Sequence, residues 1–402
     1  MKKIDVKINN KLCGELHFNK QTDEYIFNYR KDNDIVSLIM PYKNSSYIWK
    51  KNLHPIFDMN MPEGYLFELL KQYITKEYGY IDDYLIFSYL CSNIQSRLSY
   101  ESWLEKNNFI SIDLQEVLRN DTNDTFNKLV KTFLNKNAIS GVQPKTLALL
   151  EDKESFTTKE YIIKTWGEEY TELSLNEYFC LKTIEKTGIP TVSVMLSKHN
   201  KFLIVERFNY DQKNNTFLGF EEVLGLVGKN RDEKYSGSYE LVAKVLYSVC
   251  TDKLETMKNF FTLMVMNYFL KNGDAHLKNF GILYDENKEN ISMAPVYDVV
   301  TTTPYFYKDR PALTMFGKKV WLGKNELIKF GTEKCYLSIK DADMIYTHCQ
   351  SILRDSISKI ESYIISNPQF QDIGQKMIDS WSLSLDEKTY KEIPDAVTRN
   401  WE

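Results

Sequence analysis

Apolar and polar residues alternate at the start of the chain. "KKIDVKINNKLCGELHF" reads as a β-hairpin turning near its "NN", and "EYIFNYR" and "SLIMPY" read as further strands. The period then lengthens. "MPEGYLFELLKQYI" reads as a helix, with Pro62 and Glu63 suited to its first turn, and "DDYLIFSYLCSNI" and "IDLQEVLRN" continue in helical spacing. From about residue 126 the pattern is mixed. "FNKLVKTFL" predicts a helix, "NAISGVQPKTLALLE" a turn entering a strand, and "KEYIIKTW" a short strand. "ELSLNEYFCLKTIEKTG" predicts an amphipathic helix stopping at Gly188, and "PTVSVMLSKHNKFLIVERFNY" two more strands. Beyond about 215 the pattern is mostly helical, except for a hairpin over 281–300 that turns on "DENKEN".

The expectation is therefore a mixed β/α half followed by a helical half. With 402 residues, two or three packed units are expected. No internal repeat or low-complexity linker interrupts them. The apolar fraction of 43% marks a globular protein, and the net charge of −4 argues against a broad basic face for gripping nucleic acid. The six cysteines form no C-x-x-C pair, which predicts buried free thiols in a reducing compartment. The polar start lacks the apolar core of a signal peptide, and no window is long enough for a membrane span. The expected location is the cytoplasm.

Residues 260–271, "FFTLMVMNYFLK", are apolar on nearly every side, which predicts a helix buried in its lobe and ended by Gly273. "NGDAHLKNFGIL" follows at once. Asp274 and Asn279 stand five apart, D-x-x-x-x-N, the interval of a protein-kinase catalytic loop. There the acid accepts a hydroxyl proton and the amide oxygen holds Mg²⁺. Asp298 lies nineteen residues beyond Asn279, after a predicted strand, where a kinase keeps its metal-binding carboxylate. Asp and Asn also cap ordinary turns, so the spacing alone does not decide.

The earlier half fits the same order. Gly141 sits in a loop where backbone approaches phosphates closely. Lys164 interrupts an apolar strand, so it must snorkel, pair or serve a ligand. Glu177 on the next helix is the candidate ion-pair partner of that lysine. "KFLIVERFNY" is a strand that would end at an adenine-binding hinge.

Taken together, "SGVQPKT", "YIIKTW", "NEYFCLKTIEKTGIP", "LIVERFNY", "NGDAHLKNFGIL" and "APVYDVVTTTPY" resemble the HipA family of bacterial serine/threonine kinases, the toxins of toxin–antitoxin pairs. "FDMNMPEGYLFELL" resembles the N-terminal subdomain of full-length members. The segment "SYLCSNIQSRLSYE" departs from that subdomain in lacking glycines. The resemblance implies an α+β, two-lobed, protein-kinase-like fold. Its parts are an N-terminal subdomain over 1–105, a kinase N-lobe core over 106–212 and a helical C-lobe over 213–402. It implies ATP and Mg²⁺ as cofactors. Asp274 would be the base, Asn279 and Asp298 the metal ligands, and Lys164 the phosphate contact oriented by Glu177. Glu206 and Phe208 would lie at the hinge, with Tyr297 lining the same pocket. Gly141, Val142, Gln143 and Lys145 would form the phosphate-covering loop.

His276 and Lys278 would steady the transferring phosphoryl group; for His276 a hydrogen bond that shapes the loop is the alternative reading. Family members autophosphorylate a serine in the phosphate-covering loop, before the Q-x-K of Gln143 and Lys145. Ala138 holds the position of the best-known one, which leaves Ser140 as the candidate. The resemblance implies two partners: a helix-turn-helix antitoxin of the HipB type, through which DNA is reached indirectly, and a protein substrate. Well-known members modify an aminoacyl-tRNA synthetase. No membrane partner is implied. Two other functions stay open on the residues: a small-molecule kinase, and a catalytically weak corepressor that acts mainly by binding the antitoxin.

Overall fold

The computed structural model describes residues 2–30, 34–61, 71, 74–75, 78–91, 94, 96–104, 114–122, 125, 145–152, 157–211 and 213–386. The chain divides into two compact units. One gathers Met1–Thr165, Met195–Glu233 and Leu283–Glu286, and the other Trp166–Val194, Lys234–Ile282 and Asn287–Glu402.

In the first unit, β1 (Lys3–Ile8) and β2 (Lys11–Asn19) pair antiparallel across Asn9 and Asn10. Both turn residues take positive φ, 48° and 63°, a region asparagine tolerates better than most side chains. β3 (Glu24–Tyr29), β4 (Tyr47–Lys50) and β5 (Leu98–Glu101) complete a five-stranded sheet in the order β4-β3-β2-β1-β5. Ile4, Val6 and Ile8 point inward on alternate positions of β1, against Phe27, Phe57, Phe87 and Tyr100. The sheet is accompanied by helices α1 (Pro55–Asp58) and α2 (Asp83–Leu90), the latter capped by the Asp82 carboxylate accepting from Leu85 N–H.

The "SLIMPY" stretch is not a strand. Tyr29 bends it instead: its hydroxyl donates to Met40 O (2.6 Å) and accepts from Val36 N–H (2.9 Å). Most of the helix expected over 61–74 lies outside the described residues, as do 126–134 and 137–144.

A second sheet of this unit carries β6 (Lys145–Asp152), β7 (Thr157–Thr165), β8 (Val194–Leu196) and β9 (Phe202–Glu206), ordered β6-β7-β9-β8. α3 (Leu114–Arg119) packs Leu114 and Val117 onto Ile163, Phe202 and Ile204 of this sheet. Beyond it come three short strands that the helical pattern did not predict, β10 (Tyr210–Asp211), β11 (Thr216–Phe217) and β12 (Gly219–Glu222).

The second unit is mainly helical. It contains α4 (Leu173–Glu185), α5 (Tyr239–Val249) and α6 (Lys253–Phe269), the last capped by Asp252. Chain strands β13 (Gly281–Tyr284) and β14 (Ile291–Met293) flank the predicted turn, and Ala294 N–H donates to Gly281 O (2.9 Å). A long stretch without helix, 301–323, departs from the helical expectation. α7 (Lys324–Glu333), α8 (Ile339–Ser366) and α9 (Gln371–Leu385) close the unit. Every residue from Phe260 to Phe269 is buried, as the all-round apolar pattern requires. All six cysteines are buried and none is in a disulfide. Among the described residues no helix is long and apolar enough to cross a membrane.

Candidate active site

The buried helix α6 delivers the polar loop, but Gly273 does not end it. The helix stops at Leu270, and Lys271 takes the left-handed conformation with φ 54°. Gly273 answers a different need. A Cβ there would meet Asp309 Oδ2 at 1.9 Å and Thr302 Oγ1 at 2.7 Å. The glycine is required for space, not for its backbone freedom.

Asn272 is locked before the turn. Its N–H donates to Asn267 O (2.9 Å) and its amide to Asn267 Oδ1 (2.8 Å), while its own oxygen accepts from Asp274 N–H (3.2 Å). Asp274 is half-buried, and its Oδ1 accepts from the Tyr235 hydroxyl (2.8 Å). One carboxylate oxygen is thus fixed, which orients the other for a proton. The Asp274 carbonyl then closes a ring with the next functional residue, since Asn279 Nδ2 donates to it at 2.7 Å. Inside that ring His276 N–H donates to Asp274 O (2.8 Å) and Asn279 N–H to His276 O (2.9 Å).

His276 and Lys278 are both buried. The His276 ring meets Tyr235 edge-on, with centroids 5.1 Å apart, and Leu277 N–H donates to Lys234 O (3.1 Å). One short segment, Lys234–Tyr235, therefore holds the loop at three points, Asp274, His276 and Leu277. The Tyr297 hydroxyl donates to Lys278 O (2.7 Å), which brings the Asp298 segment to the loop.

Asp298 itself has φ 55°, a costly conformation that persists only where the neighbours over-determine it. They do. Before it, Val296 is bonded to Pro190 O (2.8 Å) and to Val192 N–H (3.0 Å). After it, Thr301 is gripped by the buried Asn176 of α4, whose amide donates to Thr301 O and accepts from Thr301 N–H, both at 2.8 Å. Trp381 Nε1 donates to the Thr301 hydroxyl at 2.8 Å.

Asn279 and Asp298 suit a magnesium ion. With its amide nitrogen spent on Asp274 O, Asn279 offers its oxygen as a hard donor, and Asp298 offers a carboxylate. Among the described residues no group of three or more His, Cys, Asp or Glu forms a complete metal cage. Two protein oxygens completed by phosphate oxygens are the usual arrangement for Mg²⁺.

Of the residues expected to serve the nucleotide, the first unit holds Lys145, Lys164, Glu206 and Phe208. Lys164 is buried on β7, opposite Leu203 of β9, and Glu206 pairs with Tyr161 at the end of β9. Phe208 packs edge-on against Phe220, with centroids 5.2 Å apart. Glu177 is buried on α4 of the second unit, one residue after Asn176. Lys145 lies at the start of β6, in register with Lys164. Ser140, Gly141, Val142 and Gln143 lie outside the described residues.

Tyr235, Asn176, Thr301 and Thr302 escaped the sequence reading. Tyr235 sits in "RDEKYSGSYE", which has no periodicity to single it out. Asn176 reads as one polar position of an amphipathic helix, although it is fully buried. Only the structure discloses that burial, so the sequence held no signal for it.

The HipA-like C-terminal domain family matches residues 137–360, and the HipA N-terminal domain family matches residues 4–101. The chain belongs to the HipA family. Among solved structures, the HipA of Shewanella oneidensis MR-1, in its complex with HipB and operator DNA, aligns with a TM-score of 0.69. The alignment covers 94% of this chain and 96% of that one, at 15% identity. The expected α+β, protein-kinase-like fold of the HipA type is therefore the fold found.

Curated proteins of two bacteria are similar to part of this chain. A Haemophilus influenzae protein, provisionally named a kinase, is 26% identical over 186 residues, covering 42% of this chain and 53% of the relative. The Sinorhizobium fredii protein Y4dM, provisionally named likewise, is 24% identical over 216 residues, covering 47% and 52%. The chain spans about half the length of the curated relatives it matches.

Proposed function

We propose that this HipA-family chain is an ATP- and Mg²⁺-dependent serine/threonine protein kinase that acts as the toxin of a toxin–antitoxin pair. One observation carries the reading. A carboxylate held by Tyr235 and an amide tied back to the same residue's carbonyl occupy the D-x-x-x-x-N interval in a HipA-family chain.

The assigned chemistry is phosphoryl transfer to a hydroxyl. The substrate oxygen forms a bond to the γ-phosphorus while the bond from that phosphorus to ADP breaks. Asp274 accepts the proton released by the hydroxyl. Bound Mg²⁺ would neutralise phosphate charge, held by Asn279 Oδ1 and the Asp298 carboxylate. Lys278, with His276 shaping the loop, is assigned to the developing negative charge. Lys164 is assigned to the ATP phosphates with Glu177 orienting it, and Glu206, Phe208 and Tyr297 to the adenine. Gly141, Val142, Gln143 and Lys145 are assigned to the phosphate-covering loop.

Autophosphorylation is assigned to Ser140. A phosphate there brings roughly −2 charge to the place where ATP sets its own phosphates, and so switches the enzyme off. Phosphopeptide mapping of ATP-treated protein should find phosphate on Ser140, and an unmodified Ser140 would reject that assignment. A HipB-type antitoxin is the proposed partner, supported by the operator complex in which the Shewanella HipA was solved. The protein substrate is assigned by analogy to an aminoacyl-tRNA synthetase.

The test is induction in cells. Growth should arrest, and lysate phosphosites should appear that are missing after induction of Asp274→Asn. Equal arrest by both forms would refute the kinase mechanism as the cause of toxicity.

A further inference from the structure

Thr301 and Thr302 stand back to back between two parts of the candidate site. Thr301 is anchored: Asn176 of α4 binds both its backbone groups, and its hydroxyl accepts from Trp381 of α9 and lies 3.4 Å from the Cys180 sulfur. Thr302 turns the other way. It is 6% exposed, and its hydroxyl donates to Lys271 O at 3.0 Å while accepting from Gly273 N–H at 3.0 Å. Its own N–H donates to Lys271 O at 3.1 Å, and Gly273 N–H also reaches that carbonyl at 3.0 Å.

Two conformational facts give this contact its purpose. Lys271 is held in the left-handed region, and Asp298 is held there too. A non-glycine residue stays in that region only when its surroundings insist. Thr302 lies four residues after Asp298, and its two targets, Lys271 and Gly273, lie three residues and one residue before Asp274. One hydroxyl thus ties the base segment to the metal-ligand segment, and through Thr301 it rests on two packed helices.

We infer that Thr302 is a positioning residue, whose hydroxyl sets the Asp274 carboxylate relative to the Asp298 carboxylate. It touches no reactant and acts through the loop. This rests on the kinase reading for its consequence in catalysis, but its geometry is testable without it. A misplacement near 1 Å at a reacting group costs on the order of 10²-fold in rate, so the hydroxyl should govern turnover more than binding.

The experiment compares Thr302→Val, which keeps the branched shape and removes the hydroxyl, with Thr302→Ser, which keeps the hydroxyl. The full chain is given Mg·ATP, and phosphate transfer and amide hydrogen exchange over 271–281 are followed. For Thr302→Val, kcat should fall between about tenfold and 10²-fold while KM for ATP stays within about twofold. The loop amides should exchange at least about tenfold faster, because buried partners are left unmet. Thr302→Ser should restore kcat to within about threefold, along with slow exchange.

Wild-type rates and exchange in Thr302→Val would overturn the inference. So would equal losses in the Val and Ser variants, which would make the threonine a mere packing residue. If wild type and Asp274→Asn show no difference in transfer, the kinase reading falls. The exchange comparison then decides Thr302 alone: fast in Val and slow in Ser upholds the tie, and no difference rejects it.

Discussion

At the scale of single residues, the candidate catalytic loop depends on space as much as on charge. Gly273→Ala would drive a methyl group into Asp309 and Thr302. Overpacking of this kind costs about 3 kcal/mol where backbone and buried side chains must both move. A urea titration should show that loss, and phosphate transfer should fall with it. Lys271 carries a second prediction. Burial pushes its amine down from the ordinary value of 10.5 to about 7, while its ammonium lies 4.9 Å from the centre of the Trp321 ring. A lowered lysine favours the neutral form in the fold. Its stabilising effect is present above about pH 10.5 and is lost as the pH falls through about 7. Wild-type stability should therefore rise with pH between those values, and Lys271→Met should flatten the slope. An unchanged slope would contradict the desolvation account.

The interval between Asp274 and Asn279 was legible from sequence, and the structure adds that the Asn279 side-chain amide donates to the Asp274 carbonyl. Gly273 was read for the wrong reason, since a helix-ending glycine and a glycine needed for clearance look alike in a sequence. Only the packing of Asp309, thirty-six residues away, distinguishes them.

At the scale of elements, helix α6 is the support from which the loop issues. Phe260 is fully buried, with ring centroids 5.7 Å from Phe280 and 6.2 Å from Phe330, so it joins the helix to the end of the loop and to α7. Phe260→Ala should cost about 3–5 kcal/mol in chemical denaturation. A loss below 1 kcal/mol would mean that the helix is not the rigid base assigned to it. Strong periodicity made most elements readable. β1, β2, β3, α2, α4 and α6 follow their patterns closely. β10, β11 and β12 did not declare themselves, because two to four residues are too few to show a period. "SLIMPY" misled by composition. Its apolar residues are drawn in by the Tyr29 hydroxyl and by Glu221, whose oxygens accept from Ser37 Oγ (2.6 Å) and Leu38 N–H (2.9 Å), and not by strand pairing.

At the scale of the whole molecule, the two units are assembled from separated segments, and this is what a linear reading does not disclose. Glu221 illustrates it. It is buried in the first unit, where it bonds to Ser37 and Leu38 from near the amino terminus and accepts from the Tyr284 hydroxyl (2.9 Å). Nothing local at residues 37, 221 or 284 announces that they meet. Gly219 shows the same closeness, since a Cβ there would fall 2.0 Å from the Tyr284 ring. Burial pushes the Glu221 carboxyl up from its ordinary range, against the hydrogen bonds that favour its charge. Family membership, by contrast, was legible, because a series of short motifs in fixed order constrains a fold far more than any one of them.

The central claim is that Asp274 takes the hydroxyl proton during transfer of phosphate from Mg·ATP. The most direct measurement is the transfer of labelled γ-phosphate by the purified full chain, to itself and to lysate protein, for wild type and Asp274→Asn side by side. Replacing the base with an isosteric amide should lower the rate by about 10²-fold to 10⁴-fold, with the fold retained by circular dichroism. Equal labelling by the two forms would contradict the account.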